Sequence, residues 1–336
     1  MSENPQASIV IPSRGMEEYL HRLFQALISE LEGKNVEVLL VDDGSEPPLD
    51  FLEKEFPQLN LKVLRQPPRG PACARNLGIK NARAEIIIFL DSDVIPQSGW
   101  FSALLSPFEQ DKELAGVEGK TISSNLDQLN PFSHFLYNFE GGKYLTCNIA
   151  YRKSWLERVG GFDQRFPYPW REDSDLAFSI LELGGRIIFE PRAVVDHPVR
   201  PVSLKRLVWF YPWRRGYDWL LKKKHPELFK KHLGGLVDKS ELSFGLSFFL
   251  ALALFFFKLP VWGFLLLLVH QVIYQNILLR YLHYGARTAP NLAVPWRVFL
   301  KAYIIFYPVT FLSLTSLGWG WIKFLPVKTF APRREQ

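Results

Sequence analysis

The stretch AEIIIFLDSDV (Ala84–Val94) decides how this chain is read. Its centre is a short, unbroken apolar run, the mark of a strand buried on both faces. The run stops at two carboxylates, Asp91 and Asp93, two residues apart. Paired hard oxygens at a strand end suit Mg2+ or Mn2+, which can bridge to the oxygens of a diphosphate. Acidic pairs are common in loops, so it is the strand in front that gives this one weight.

The same texture recurs toward the N-terminus. Ala7–Pro12 (ASIVIP) reads as a buried strand, and residues 16–32 as a helix with Tyr19, Leu20, Leu23, Leu27 and Leu31 on one face. Val36–Ser45 (VEVLLVDDGS) reads as a second strand ending in acids and Gly, and Leu61–Gln66 (LKVLRQ) as a third. Gly70–Ala82 (GPACARNLGIKNA) reads as a loop entering a helix. Strand–helix alternation predicts an α/β fold, a mostly parallel sheet covered on both faces. Ligands bind at the carboxyl ends of the strands in such sheets. Asp42, Asp43, Asp91 and Asp93 all fall at such ends.

At 336 residues the chain has room for one large domain or two smaller ones. Its charge is unevenly spread. Residues 1–199 hold 20 Lys+Arg against 29 Asp+Glu, residues 200–239 hold 11 against 3, and residues 240–336 hold 9 against 2. The overall +6 is therefore no sign of nucleic-acid binding. The basic excess borders the apolar C-terminal third, where anionic lipid headgroups would attract it.

Between Leu242 and Arg334 there is no Asp or Glu. Three uncharged apolar stretches appear there: Leu242–Phe257, Leu259–Leu279 and Ala302–Ile322. The second and third are long enough to cross a bilayer, and the first is short. Only Lys258, Leu259 and Pro260 separate the first two, which predicts a hairpin. Trp262, Tyr274, Tyr281, Trp296, Trp319 and Trp321 lie near the ends, as interfacial aromatics do. Arg280, Arg287, Arg297 and Lys301 predict a cytoplasmic loop over Arg280–Lys301, on the same side as the N-terminal domain. A third full span would carry Lys323, Lys328, Arg333 and Arg334 outside, against that rule, and Pro308 interrupts it. Two readings stay open for this stretch: a span, or a kinked, re-entrant or interfacial helix. Arg200–Lys239 mixes Trp209, Phe210, Tyr211, Trp213 and Trp219 with Lys and Arg, which reads as a helix lying among headgroups. The expected division is an α/β domain over 1–199, a basic aromatic segment over 200–239, and membrane-anchoring helices over 240–336. Cys73 and Cys147 give neither a disulfide framework nor metal-ligand spacing, and read as reduced thiols of a cytosolic domain. The polar Met1–Gln6 lacks the pattern of a signal peptide.

Three further constellations carry chemistry. REDSDL (Arg171–Leu176) sets Glu172 beside Asp173 ahead of a helical stretch. Such acids serve equally as helix-terminal charges or as a general base taking a proton from a hydroxyl. VDHPVRP (Val195–Pro201) offers His197, a structural residue or a third metal ligand. DDGS (Asp42–Ser45) is ordinary turn chemistry, or a carboxylate that accepts the imide N–H of uracil.

In this order, SIVIPSRG, VLLVDDGS, GPACARNLGI, AEIIIFLDSDV, TCNIAYRKSWLERVGGFD and YPWREDSDLAF, followed by the late His197, resemble the large family 2 of inverting glycosyltransferases in a membrane-anchored bacterial form. The resemblance covers about Ala7–Pro201 and implies the nucleotide-binding fold called GT-A. It also implies roles. Pro12 and Asp43, with Asp42 beside them, would touch the base, and Arg75 the phosphate or ribose. Asp91 and Asp93 would hold the metal and diphosphate, completed by His197. Asn148 would face the sugar. Gly160, Gly161 and Asp163 would lie near the acceptor. Asp173 would be the catalytic base, with Glu172 its neighbour. The implied partners are a nucleotide-sugar donor, UDP by default, a lipid-linked or glycan acceptor, and membrane lipids. The implied cofactor is Mn2+ or Mg2+. The chain departs from the family at Arg14 and Gly15, where many relatives carry Asn or Tyr. It also lacks the Gln-x-x-Arg-Trp motif of processive synthases, with only the loosely similar RRGYDW at Arg214–Trp219, so a single-addition enzyme is expected.

Two other classes compete. A nucleotide-sugar-binding membrane protein without turnover would share the fold. DSDV after a strand also resembles the nucleophile motif of haloacid-dehalogenase-type phosphatases, but that family places it on the first strand.

Overall fold

The computed structural model describes residues 4–128, 132–237, 239–288 and 296–327. In chain order the elements begin β1 (Ala7–Ser13), α1 (Glu17–Leu31), β2 (Val36–Asp42), the single turn α2 (Leu52–Glu55), β3 (Leu61–Arg65) and α3 (Pro71–Asn81). Then come β4 (Ile86–Leu90), β5 (Ile95–Pro96), α4 (Trp100–Gln110), β6 (Leu114–Ile122), β7 (Ser133–His134) and β8 (Asn148–Arg152). These lead to α5 (Lys153–Val159), α6 (Glu172–Glu182), β9 (Arg186–Asp196) and β10 (Arg200–Pro201). The remainder is helical: α7 (Tyr211–Arg214), α8 (Asp218–Lys224), α9 (Pro226–Leu233), α10 (Lys239–Phe256), α11 (Pro260–Thr288) and α12 (Trp296–Phe324).

The described residues form two units. The first holds residues 4–124 and 136–198, the second 125–128, 132–135, 199–237, 239–288 and 296–327. In the first, eight strands make one sheet in the order β3-β2-β1-β4-β8-β6-β9-β5. β1 runs parallel to β2 and β4, with Ile9 opposite both Val38 and Ile88. β3 runs parallel to β2. The carboxyl ends of β1, β2 and β4 therefore emerge at one edge, which is why Asp42, Asp43 and Asp91 share it. β8 enters antiparallel between β4 and β6, while β6 and β9 are parallel. The result is a mostly parallel sheet with an antiparallel insertion.

The sheet is covered by helices whose apolar faces follow the 3.6-residue period. α1 buries Leu20, Leu23, Phe24 and Leu27, and α4 buries Trp100, Phe101, Leu104 and Phe108. Burying each such side chain contributes about 1.5–3 kcal/mol. An exposed ion pair such as Arg22–Glu18, on the surface of α1, contributes far less. These layers hold the unit together and fix the strand ends.

In the second unit α10 and α11 form the expected hairpin, turning at Lys258 in a left-handed conformation (φ 58°). Gly263 lets α11 approach closely, since an added Cβ would stand 3.0 Å from the Phe255 ring. Among the described residues, three helices here are long and apolar enough to cross a membrane. Two sequence expectations need correction. Residues Arg280–Lys301 are not one loop, because α11 runs on to Thr288 and α12 starts at Trp296. The basic aromatic segment is not one helix either. It breaks into short helices, with Pro212 in the first turn of α7 and Pro226 in the first turn of α9. Proline cannot donate into a continuous helical ladder, but is well placed in a first turn. Lys328, Arg333 and Arg334 lie outside the described residues.

Candidate active site

The site is built where β4 and β9 end. Asp91 follows β4 directly, and Asp93 is two residues on. His197 follows the last residue of β9, and its backbone is pinned on both sides. Its N–H donates to the Ile122 carbonyl (2.8 Å), and its carbonyl accepts from Ser123 Oγ (2.6 Å). One potential ligand atom from each of Asp91, Asp93 and His197 lies within 4.8 Å of the others. His197 Nε2 stands 3.5 Å from Asp93 Oδ2 with both side chains buried. Two carboxylates and one imidazole are a donor set that fits Mn2+, and that Mg2+ tolerates through its oxygens.

Arg75, on α3, links this cluster to the acid pair. It is 2% exposed. Its Nη2 donates to Asp91 Oδ1 (2.9 Å) and its Nη1 to Glu172 Oε1 (2.9 Å). The guanidinium also lies 5.5 Å from the centre of the Phe162 ring. Burial works against its charge, but Asp91 and Glu172 outweigh that and keep it protonated. Contact with a phosphate or ribose was the expectation for Arg75. The structure instead commits its terminal nitrogens to two carboxylates 81 residues apart in sequence, Asp91 and Glu172.

Glu172 and Asp173 open α6, where the residue before them, Arg171, is left-handed (φ 74°). Acids in a first turn are favoured by the helix dipole, yet these two differ. Glu172 is buried and held by Arg75. Burial pushes its carboxyl up to about 7, the neighbouring Asp173 charge adds to this, and Arg75 opposes it. Asp173 keeps part of its surface open, and its Oδ1 accepts only from the adjacent Ser174, at the N–H (2.7 Å) and at Oγ (3.3 Å). Burial raises its proton affinity too, against the pull of the Ser174 N–H and of Arg171 and Arg75. Of the pair, Glu172 is the carboxylate hydrogen-bonded to Arg75, and Asp173 feels its charge without that bond.

The remaining expected residues separate into several roles. Asp43 suspends the loop ahead of α3: its oxygens accept from Gln66 Nε2 (2.7 Å), Arg69 N (2.8 Å) and Gly70 N (2.9 Å). Pro12 is half-buried in β1, opposite Val41. Asp42 is fully buried and used by its own turn, accepting from Ser45 N (2.7 Å), Leu49 N (3.3 Å) and Arg65 Nη1 (2.8 Å). It supports Asp43 from behind. Asn148 also departs from expectation. It is fully buried in β8, where Oδ1 accepts from Trp100 Nε1 (2.8 Å) and Nδ2 donates to the carbonyls of Lys120 and Ala193 (2.9 Å each). Both N–H donors and the carbonyl oxygen of its amide are engaged by the protein, so it joins α4, β6, β8 and β9 rather than facing a sugar.

Gly160 and Gly161 close α5 with positive φ, and Asp163 pairs with Arg165 (2.6 Å). Asn76 of α3 grips the same loop, exchanging 2.8 Å hydrogen bonds with the N–H and C=O of Phe162. A Cβ at Gly161 would stand 2.5 Å from Asn76 Oδ1, at a φ of 73° that also favours glycine. Sequence reasoning missed Glu118. Buried in β6, it accepts from the N–H groups of Gly142 (2.6 Å), Lys143 (3.1 Å) and Tyr144, and from Asn138 Nδ2 (2.8 Å). Burial still raises its proton affinity despite those donors. It organises the turn that leads into β8. The signal available was a lone acid inside an otherwise apolar and glycine-rich run.

Comparison with known proteins agrees with this geometry. Residues 8–162 match the model of the family described as glycosyl transferase family 2. The pre-mycofactocin glycosyltransferase of Mycobacterium tuberculosis is 31% identical over 212 residues, spanning 57% of this chain and 43% of that protein. The chondroitin synthase of Pasteurella multocida is 24% identical over 55% of this chain and 24% of its own length. The chain thus spans less than half the length of these curated relatives. A solved mannosyltransferase from Pyrobaculum calidifontis, in complex with GDP-Man and Mn2+, superposes with a TM-score of 0.51 at 18% identity, over 97% of this chain and 88% of that one. That likeness concerns the fold, which is of the GT-A type. The fold, the order of the motifs and the family match agree: residues 8–162 form a domain that matches glycosyl transferase family 2.

Proposed function

We propose that this protein is a membrane-anchored inverting glycosyltransferase. It moves a sugar from a nucleotide diphosphate donor, UDP-linked by default, to a hydroxyl of a lipid-linked or glycan acceptor. One observation carries the reading: Asp91, Asp93 and His197 converge, and Arg75 ties Asp91 directly to the Glu172–Asp173 pair. Mn2+ or Mg2+ held by Asp91, Asp93 and His197 would supply positive charge against the departing diphosphate.

The protein's own groups account for the rest. Asp173 is the general base: its carboxylate is part-open, and proton abstraction needs an acid that can reach the acceptor hydroxyl. Its raised proton affinity makes it a better acceptor for that proton. Glu172 positions rather than reacts, because Arg75 holds it. The acceptor oxygen attacks the anomeric carbon opposite the nucleotide, the glycosidic bond to the diphosphate breaks, and the proton passes to Asp173. A single displacement inverts the anomeric configuration. Asp43, by holding the loop at Gln66–Gly70, shapes the base end, with Pro12 beside it. Gly160–Asp163 flank the acceptor side.

The haloacid-dehalogenase alternative finds no support, since the DSD motif follows the fourth strand. The expected location is a plasma membrane with the catalytic domain cytoplasmic. The test measures transfer from a panel of UDP-, GDP- and dTDP-sugars with Mn2+, comparing the wild type with Asp173→Asn. General-base loss costs about 10²–10⁴-fold in rate, with donor binding retained. Donor binding without turnover in either protein would favour a non-catalytic sugar-nucleotide binder.

A further inference from the structure

The second unit contains three apolar helices of spanning length, but their contacts do not describe three parallel spans. α10 and α11 pack along the hairpin as far as its turn, where Gly263 meets Phe255 and the Ala251 carbonyl. α12 behaves differently. Among the described residues, its bonds and ring contacts to the hairpin fall at two short stretches, Phe244–Phe248 of α10 and His270–Tyr274 of α11. Tyr307 OH is 2.6 Å from His270 Nε2, Tyr274 OH donates to the Tyr303 carbonyl, and Tyr303 OH donates to Gln271. The Phe311 ring lies 4.6 Å from Phe244 and 4.9 Å from Phe248. All of these belong to the half of the hairpin nearest the start of α10.

The C-terminal half of α12 is pinned elsewhere. Ser316 Oγ accepts from Gly216 N and donates to the Trp213 carbonyl, both at 2.9 Å. At Gly320 the backbones touch so closely that a Cβ would stand 2.1 Å from the Gly216 carbonyl oxygen. Trp319 packs on Trp213 and Tyr217, and Lys323 Nζ donates to Tyr217 OH (3.1 Å). Between these partners, Arg215 pairs with Glu241 in the first turn of α10 (2.6 Å). From Tyr217 to that turn the chain carries Lys222, Lys223, Lys224, Lys230 and Lys231 and no stretch able to cross a bilayer. Trp213–Tyr217 and the start of α10 are therefore on one side of the membrane, and Ser316 and Lys323 are held there with them. Yet Ser316 lies roughly 30 Å along α12 from Trp296, the thickness of a hydrocarbon core. Were the apolar stretch Leu300–Phe324 to cross, Lys323 would lie roughly 35 Å along it from Leu300, at the level of the Lys258 turn.

Resting on the membrane reading of this unit, we propose that only α10 and α11 cross the bilayer. α12 lies in the interface of the leaflet where α10 begins, clasped by the Trp213–Tyr217 segment. Its outward Ile304, Trp321 and Ile322, with Leu325 just past its end, are exposed and meet the lipid boundary. Lys323 rests on aromatic rings at headgroup level, 4.4 Å from Trp319. This arrangement also keeps Lys323 on the same side as the lysines of α8 and α9, as the distribution of basic residues requires.

The test is site-directed cysteine labelling of the full chain in cells, with Cys73→Ser as background. Lys231→Cys, Lys258→Cys and Leu325→Cys are probed with a membrane-impermeant maleimide before and after permeabilisation. Leu325→Cys should label together with Lys231→Cys and on the opposite side from Lys258→Cys. Val327→Cys replaces Leu325→Cys should that variant fail to accumulate. Labelling of position 325 or 327 together with 258, or of all three positions together, overturns the proposal. Sugar transfer is not read in this experiment, so its outcome is separable from that of the enzymatic reading.

Discussion

Replacing Glu172 by glutamine isolates the electrostatics of the acid pair. The substitution keeps the size of the side chain and an acceptor for Arg75 Nη1, and removes only the ionisable group. In the folded protein burial pushes this carboxyl from 4.5 up to about 7. The folded state therefore holds a proton that the unfolded chain has released. Stability from this group is fully present below pH 4.5 and is lost as pH rises toward 7. The displacement corresponds to about 3 kcal/mol across that window. The variant lacks this dependence, so its stability relative to the wild type should rise by about 3 kcal/mol from acid to neutral pH. For a unit of this size that is roughly 6–12 °C in melting temperature. Any constant cost of leaving buried Arg75 with one fewer anionic partner offsets the whole curve without changing its slope. The assay is thermal unfolding of both proteins in detergent, free of divalent metal, across the pH window. Parallel pH curves for the two proteins would refute the reasoning. They would mean that Arg75 compensates the burial of Glu172 completely.

Three other substitutions probe the site. His197→Ala should raise the Mn2+ concentration needed for half-maximal transfer by about ten-fold or more, and a chelator should abolish transfer in both proteins. Asn148→Leu should destabilise by about 3 kcal/mol or more by stranding the Trp100 N–H and two strand carbonyls. Donor affinity of the folded fraction should be unchanged, and a selective loss of donor affinity would return Asn148 to the sugar site. Gly161→Ala should cost about 1–3 kcal/mol through its positive φ and the Asn76 contact. Adding Asn76→Ala should recover part of that cost in a thermal melt.

The parallel half of the sheet was legible because β1, β2 and β4 are short apolar runs, and β2 and β4 stop at Asp42 and Asp91. The antiparallel half was not. β6 shifts register twice, between Leu114 and Gly116 and between Gly119 and Lys120, so no clean alternation survives. β8 begins with Asn148, whose polarity suggests a surface until its three hydrogen bonds are seen. The acids at 91, 93 and 173 could be singled out from their positions at element ends. That Arg75 would join two of the acidic motifs could not, since it follows only from the fold bringing the side chain of α3 to the end of β4 and the first turn of α6. Motif resemblance assigned Arg75 and Asn148 to the ligand, whereas both are committed to protein partners. In the apolar C-terminal region, composition left α12 open between a span and an interfacial helix. Only its contacts bear on that choice.

The double grip of Arg75 has a consequence for the order of events. A single guanidinium balances the charge at the end of β4 and at the start of α6. If Asp91 gives its electron density to an arriving divalent ion, Arg75 is released in part toward Glu172, and the acid pair then holds its protons less firmly. Cation loading and deprotonation would thus be thermodynamically linked, and the linkage must run both ways. Before the donor complex is assembled, burial raises the proton affinity of both carboxylates at α6. The enzyme would arm its base only once the nucleotide end is charged, a safeguard against spending donor on water.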